Sequence, residues 1–202
     1  MPFAVRQSRL LLLGLCAALA ASAQQSGSGD LDSSGQTIVN GRPAPYVIRR
    51  LPVNAFPQLP LAVAQSLTSR GCLIPQSYEA RGPENAVEAS LERAGSSDWA
   101  VLCSANGTVS LLVFFASANG APATLAAFAE TDRLQAHGAS GTLGFNWAID
   151  PASPETVHEA QLGMKHTPAR LDHDALADSI LDGKTVYRYY AQNAWTLVAT
   201  QD

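Results

Sequence analysis

Apolar and polar residues alternate in two runs on either side of a short turn that contains a glycine. The alternating apolar positions are Val87, Ala89 and Leu91 before the turn, and Trp99, Val101 and Cys103 after it. A period of two on both arms predicts a β-hairpin. A third apolar run, TVSLLVFFA, follows the turn pair Asn106-Gly107. Residues 86–116 are therefore predicted to form a three-stranded antiparallel meander.

The other apolar segments predict a mixture of helices and strands. In PLAVAQSLTSRGC, helical spacing places Leu61, Ala64, Leu67 and Thr68 on one face, and Gly71 suits the C-terminal cap. ATLAAFAETDRLQAH is a second predicted helix, GTLGFNWAI a strand, and KTVYRYYAQNAWTLVAT a closing hairpin, while PETVHEAQ fits either state. Helices and antiparallel strands without βαβ alternation predict an α+β fold.

The first sixty residues have the pattern of an export signal followed by a linker. Arg6 and Arg9 precede an apolar run, and Ala21-Ser22-Ala23 has the small residues that signal peptidase accepts, so residues 1–23 are predicted to be a signal peptide. The run is about eleven residues, too short to cross a bilayer, which needs about twenty. Residues 24–59 are rich in Ser, Gly and Pro and predict a flexible linker. A single domain is expected over 60–202, in the periplasm or outside the cell.

Two cysteines remain after the predicted cleavage. Cys72 and Cys103 are expected to pair in an oxidising compartment, closing a loop of about thirty residues and stabilising the fold by roughly 3 to 4 kcal/mol. Since Cys72 follows the first predicted helix and Cys103 lies in the meander, the bond should join helix to sheet. Two buried free thiols are the alternative.

The charge balance limits the classes of partner. The chain has 13 basic and 17 acidic residues, and the predicted cleavage removes two of the basic ones. A mildly acidic protein is a poor partner for nucleic acid or for an anionic membrane.

The segment LERAGSSDWAV resembles the loop of an FG-GAP, integrin-type repeat, in which acidic side chains on a tight turn hold calcium. Gly95, Asp98 and the strand from Trp99 fall in the register of that family, and Glu92 stands at its first acidic position. Ala94 replaces the second acidic residue. The alternative is an ordinary hairpin turn in which the Asp98 carboxylate accepts hydrogen bonds from its own backbone.

A second segment, LDHDALADSIL, has the same spacing. Asp172, Asp174 and Asp178 fill the three acidic positions, and Ala175 replaces the glycine. The resemblance implies calcium at these three carboxylates, because a hard cation takes several oxygen ligands. A propeller of several blades does not fit in this domain. The chain also resembles short exported bacterial proteins of unknown function that pair one helix with a G-x-x-D-W-A-V-L-C hairpin.

Known catalytic motifs are incomplete in this sequence. TIVNGRP is similar to the new N-terminus of trypsin-like proteases, but the other motifs of that family are missing. In the near match to G-x-S-x-G, Thr142 replaces the last glycine, and Leu162 replaces the second histidine of an H-E-x-x-H that begins at His158. His158, His166 and His173 are the remaining candidates for a histidine metal site.

Aromatic and basic residues concentrate near the C-terminus. Since Tyr, Trp and Arg are favoured at interfaces, the predicted binding residues are Trp147, Arg188, Tyr190 and Trp195. The sequence thus predicts a small exported binding domain without an evident catalytic site, whose partner is a protein or a glycan. A calcium-stabilised module, and a hydrolase with a site assembled from distant residues, are the alternatives.

Overall fold

The computed structural model describes residue 1 and residues 31–139, 141–165 and 170–200. Strands make up 46% of these residues and helical turns 16%, with two α-helices and three sheets. The fold is mostly β, and the α+β prediction is wrong. No helix in this part of the chain is long and apolar enough to span a membrane. The predicted signal peptide and His166 lie outside the described residues.

The strands are short and follow one another closely along the chain. Their bounds are β1 Ser33–Val39, β2 Arg42–Ile48, β3 Arg50–Pro52, β4 Leu73–Pro75, β5 Ala86–Ala89, β6 Asp98–Ala105, β7 Thr108–Phe114, β8 Ala123–Ala129, β9 Leu134–Ala136, β10 Leu143–Phe145, β11 Trp147–Ala152, β12 Ala175–Ile180, β13 Thr185–Ala191 and β14 Ala194–Val198. The two α-helices are α1 Leu61–Ser69 and α2 Pro154–Ala160.

The central sheet contains the predicted meander. Its strand order is β3-β4-β6-β7-β8, and β5 pairs with the free part of β6. The antiparallel pairs β5–β6 and β6–β7 confirm the meander, and Asn106 and Gly107 both have positive φ, as a tight hairpin turn requires. Strand β6 is buried on both faces because a core packs against each side of the sheet. The first core contains Ala100 and Leu102 of β6, and the second contains Trp99, Val101 and Cys103.

The second predicted helix is wrong. Ala123–Ala129 forms β8, which pairs antiparallel with β7 through a β-bulge at Leu111/Leu112. Its alanines favour a helix in isolation, but the ladder to β7 satisfies the backbone, and Leu125 and Ala126 pack on the first core. Tertiary pairing overrides local propensity here.

Residues 31–59 are ordered elements, where the sequence predicts a linker. Strands β1 and β2 form a hairpin, and β2 also pairs parallel with β10 in the sheet β1-β2-β10-β9. Ile48 lies fully in the first core, and Phe56 lies in the second. Leu59 is also buried in the second core, and Leu51, Val53 and Ala55 pack against it, so the segment adds apolar side chains to cores that it shares with other elements.

Helix α1 is confirmed, and its buried face agrees with the predicted one only in part: Leu67 and Ala64 pack on a core as predicted. Val63 and Leu67 enter the second core, whereas Leu61 is 74% exposed. Gly71 follows the helix with φ +70°, as a C-terminal cap requires. The Cys72–Cys103 disulfide forms, with 5.1 Å between the Cα atoms. Cys72 lies at the entrance to β4 beyond the end of the helix, so the bond links two strand regions, and the predicted link from helix to sheet is wrong.

The third sheet, β11-β12-β13-β14, carries the C-terminal hairpin. The β13–β14 register confirms the predicted hairpin and pairs Tyr190 with Trp195. The ambiguous PETVHEAQ segment forms helix α2. Ser153 is its N-cap and accepts a hydrogen bond from the Thr156 amide. The acidic segment after it runs into β12, so Asp178 lies in a strand with strands on both sides.

Candidate functional site

The LERAGSSDWAV loop is closed by one carboxylate. Asp98 is fully buried at the start of β6. Its Oδ2 accepts from the Leu91 amide at 2.9 Å, the Glu92 amide at 2.7 Å and the Ser96 hydroxyl at 2.5 Å. Its Oδ1 accepts from the Ala116 amide at 2.8 Å. This pattern is that of a hairpin turn closed by hydrogen bonds to its own aspartate. Such a turn is the predicted alternative to a calcium loop.

Asp178 is committed to two other side chains. Its Oδ1 accepts from the Trp147 indole at 2.6 Å, and its Oδ2 accepts from Arg188 Nε at 2.8 Å and from a terminal guanidinium nitrogen at 2.7 Å. The Asp178 side chain is only 7% exposed. Both oxygens therefore serve to pair a mostly buried arginine and an indole N–H.

The other two predicted calcium ligands have separate partners. Asp174 Oδ2 accepts from the Ser90 amide at 3.0 Å, and the Asp174 amide donates back to the Ser90 carbonyl. Asp172 Oδ1 accepts from the Tyr189 hydroxyl at 2.6 Å. The described residues contain no group of three or more His, Cys, Asp or Glu side chains placed to hold a metal ion. The structure does not bring Asp172, Asp174 and Asp178 together.

His173 lies buried behind the exposed Asp172. Its Nε2 donates to the Tyr190 carbonyl at 2.9 Å, and its Nδ1 lies 2.6 Å from Asp172 Oδ1 and 2.9 Å from the Tyr189 hydroxyl. The hydrogen bond from Tyr189, followed by the contact with His173, lowers the pKa of Asp172. Burial, followed by the bond to Asp172, raises the pKa of Tyr189. Asp172 is thus held as a carboxylate against its neighbours.

A cleft of about 350 Å³ opens where these two acidic segments meet. The reciprocal Ser90–Asp174 bonds join the segments, so Glu92 from one and Asp172 from the other share the cleft wall. The lining residues are Glu92, Arg93, Asp172, His173, Tyr189, Tyr190, Ala191, Gln192 and Asn193. We call this opening the hairpin cleft, because the end of the β13–β14 hairpin forms one side of it.

Glu92 is fixed through one oxygen only. Oε1 accepts from the Ser117 hydroxyl at 2.7 Å, whereas the buried Oε2 has no hydrogen-bond partner among the described residues. The Arg93 guanidinium lies 3.6 Å from Oε2, too far for a hydrogen bond, and its side chain is 70% exposed. A buried acceptor without a donor is unusual in a folded protein.

The four predicted binding residues divide into two groups. Trp147 is fully buried, with Phe128 against its edge and the Arg133 guanidinium 4.7 Å from its ring, and it shares Asp178 with Arg188. Tyr190 and Trp195 pack beside Phe115, with Tyr190 4.6 Å from the Phe115 ring centroid. Of the four, Tyr190 alone lines the hairpin cleft.

Sequence reasoning considered Glu92 only as a calcium ligand, and it did not place Tyr189 or the Gln192-Asn193 turn among the predicted binding residues. The available signal was the turn pair Gln192-Asn193, both at positive φ, which ends the tyrosine-rich strand beside the acidic segments. Nothing in the sequence indicated that residues 90 and 174 would be hydrogen-bonded neighbours.

A second cleft has basic and aromatic lining residues where the hairpin cleft has carboxylates. It has a volume of about 250 Å³ and is lined by Arg49, Tyr78 and His137 among others, with no carboxylate among its described lining residues. The Tyr78 and His137 rings stack in parallel at 4.7 Å, and Gly144 makes room for them, since a Cβ there would lie 2.6 Å from Tyr78 Cβ. The Tyr78 hydroxyl donates to Asp182 at 2.7 Å, and this bond raises the pKa of Tyr78 to about 12.

No family model, curated protein or solved structure matches the chain. The fold and the site define a mostly β, disulfide-bonded protein that has an acidic, tyrosine-walled cleft at the end of its C-terminal hairpin.

Proposed function

We propose that this protein is a binding domain and that the hairpin cleft is its ligand site. The observation that carries the proposal is the way the cleft walls are built: carboxylates from two distant segments line the same cleft, and each is held in place through one of its oxygens. Sites with a few fixed polar groups between aromatic walls are typical of ligand recognition.

The cleft is rigid on its hairpin side. His173 fixes the Tyr190 carbonyl, and the Tyr189 hydroxyl is fixed on Asp172. The β13–β14 ladder runs to the Ala191–Ala194 pair at the turn. Preorganised walls favour binding because little side-chain entropy is lost when the ligand enters.

The predicted role of the C-terminal hairpin is retained in a changed form. Tyr190 lines the cleft, whereas Arg188 donates a hydrogen bond to Asp178 and Trp147 is buried in the core. A substitution of Arg188 would therefore act on stability rather than directly on a ligand. The disulfide suits an oxidising compartment, which supports export and a partner in the envelope or outside the cell.

Blocking the cleft tests the proposal. Ala191 lines the cleft, and its cross-strand neighbour Ala194 is exposed and does not. We expect a panel of small soluble amines, carboxylates and neutral sugars, screened by two-dimensional NMR, to give shifts concentrated at residues 92–93, 172–173 and 189–193. Ala191→Phe should abolish these shifts, and Ala194→Phe, which adds the same bulk outside the cleft, should keep them.

The outcome against the proposal is equally concrete. If no panel member shifts cleft resonances, or if Ala191→Phe binds as well as Ala194→Phe, the cleft is not the ligand site. The amide spectra of both variants establish that the fold is intact.

A further inference from the structure

We propose that the hairpin cleft binds a ligand through a primary ammonium group held between Glu92 and Asp172. This inference rests on the proposed function and adds the chemical class of the ligand. Both carboxylates line the cleft, and both are oriented by the protein before any ligand arrives.

Glu92 supplies the strongest observation. The Ser117 hydroxyl holds Oε1, so the orientation of the carboxylate is set, and Oε2 lies buried without a hydrogen bond from the described residues. An unpaired buried acceptor is unfavourable because it has lost its water without gaining a donor. A donor cation that enters the cleft would relieve this penalty.

Arg93 already places a cation at this position, but weakly. Its guanidinium is 3.6 Å from Glu92 Oε2 on a mostly exposed side chain. An ion pair with an exposed guanidinium contributes little because solvent screens it, so a better-placed cation can displace Arg93. The side chain of Arg93 acts as a cover over the Glu92 carboxylate.

Asp172 provides the second acceptor. The contacts that fix it, with Tyr189 and His173, both use Oδ1, and its side chain is 85% exposed. An ammonium group has three donors to distribute. The side-chain amides of Gln192 and Asn193, which also line the cleft, offer carbonyl oxygens for the third.

The walls favour an ammonium over a metal ion. Tyr189 lines the cleft beside His173, and aromatic rings attract organic cations. Calcium takes six to eight oxygen ligands, whereas two carboxylates share this cleft with the guanidinium of Arg93 and the imidazole of His173. A single monovalent cation matches this donor set better.

The test compares a charged probe with a neutral probe that has the same carbon chain. Cadaverine carries an ammonium at each end of a five-carbon chain, and 1,5-pentanediol carries hydroxyls on the same chain. We expect NMR titration of the full domain to show saturable shifts at the cleft with cadaverine and none with the diol. The affinity for cadaverine should fall as salt rises, because the attraction is electrostatic.

Two substitutions should weaken cadaverine binding, and a third should strengthen it. Glu92→Gln and Asp172→Asn should each weaken cadaverine binding about tenfold, since each removes a charge-assisted hydrogen bond. Arg93→Ala should strengthen binding severalfold, because it removes the competing cation. Glu159→Gln, an exposed carboxylate on α2 outside the cleft lining, is the matched control and should leave the affinity unchanged.

Failure of this inference can be separated from failure of the proposed function. The inference is overturned if the diol binds as well as cadaverine, if Arg93→Ala weakens binding, or if millimolar calcium shifts the cleft resonances and cadaverine does not. In each case Ala191→Phe still reports whether the cleft is a ligand site. Loss of all cleft shifts, including those of the neutral probes, would count against both.

Discussion

The two acidic segments that resemble calcium loops use their carboxylates in different ways. In the first, Asp98 concentrates four hydrogen bonds on one buried side chain and closes a turn. In the second, three aspartates go to three separate places: the cleft, the Ser90 backbone, and a buried arginine. The same spacing of residues therefore supports two unrelated arrangements.

The difference shows that donors near a carboxylate decide its role. Backbone amides of a tight turn surround Asp98, so the turn itself satisfies the charge. Asp178 lies in a strand, so its partners come from the neighbouring β11 and β13 strands. The two remaining carboxylates, Glu92 and Asp172, line the hairpin cleft where the two segments touch.

The largest effect should come from removing the turn carboxylate. Asp98→Ala leaves three backbone amides without an acceptor in or beside the core, at about 1 to 3 kcal/mol for each unsatisfied donor that stays dry. With three such donors, we expect a loss of at least about 3 kcal/mol in the free energy of unfolding, measured by urea denaturation. Asp98→Asn, which keeps one acceptor oxygen, should lose less. A loss below about 1 kcal/mol for Asp98→Ala would contradict the view that Asp98 closes the first segment through its hydrogen bonds.

Sequence patterns predicted the elements whose geometry is local. The Asn106-Gly107 turn, the alternating β5 and β6 strands and the capped helix α1 all follow from short-range preferences. The predictions failed where pairing decides the outcome: alanine-rich β8 is a strand because β7 lies beside it, and β1 and β2 carry few apolar residues yet form a hairpin.

The candidate site was only partly within reach of the sequence. Tyr190 and the acidic segments were singled out, and Asp98 was a foreseeable turn residue. The cleft itself depends on bonds between Ser90 and Asp174, which are 84 positions apart. Contacts of that range arise from the packing of whole sheets, and no local pattern encodes them.

A smaller effect is expected at Asp178, where the partners are side chains instead of backbone. Asp178→Ala leaves the Arg188 guanidinium and the Trp147 indole without their acceptor. Because Arg188 is 21% exposed and can partly rehydrate, we expect a loss of about 2 to 3 kcal/mol, below the roughly 3 to 5 kcal/mol of a fully buried pair. Urea denaturation measures it.

A double-mutant cycle separates the charge pair from the rest of that loss. Arg188→Met in the Asp178→Ala background removes the unpaired charge, so the double variant should be more stable than the sum of the single changes indicates. Strict additivity of the two changes would show that the Asp178–Arg188 pair makes no energetic contribution. It would contradict the statement that partners from neighbouring strands determine the role of Asp178.

The smallest effect should appear at the exposed end of the second segment. Tyr189→Phe removes the hydrogen bond that is the main cause of the lowered pKa of Asp172, so that pKa should rise toward its ordinary value near 3.8. A lowered folded-state pKa gives stability above the unfolded pKa, and this stability is lost as pH falls through the folded value. Tyr189→Phe should therefore reduce the difference in the free energy of unfolding between pH 7 and pH 3.

Carboxyl carbon shifts of Asp172 across a pH titration measure the change in its pKa directly. Tyr187→Phe, on the same strand but outside the cleft lining, is the control. An unchanged pKa would mean that solvent, and not Tyr189, sets the charge of the one aspartate that faces the cleft.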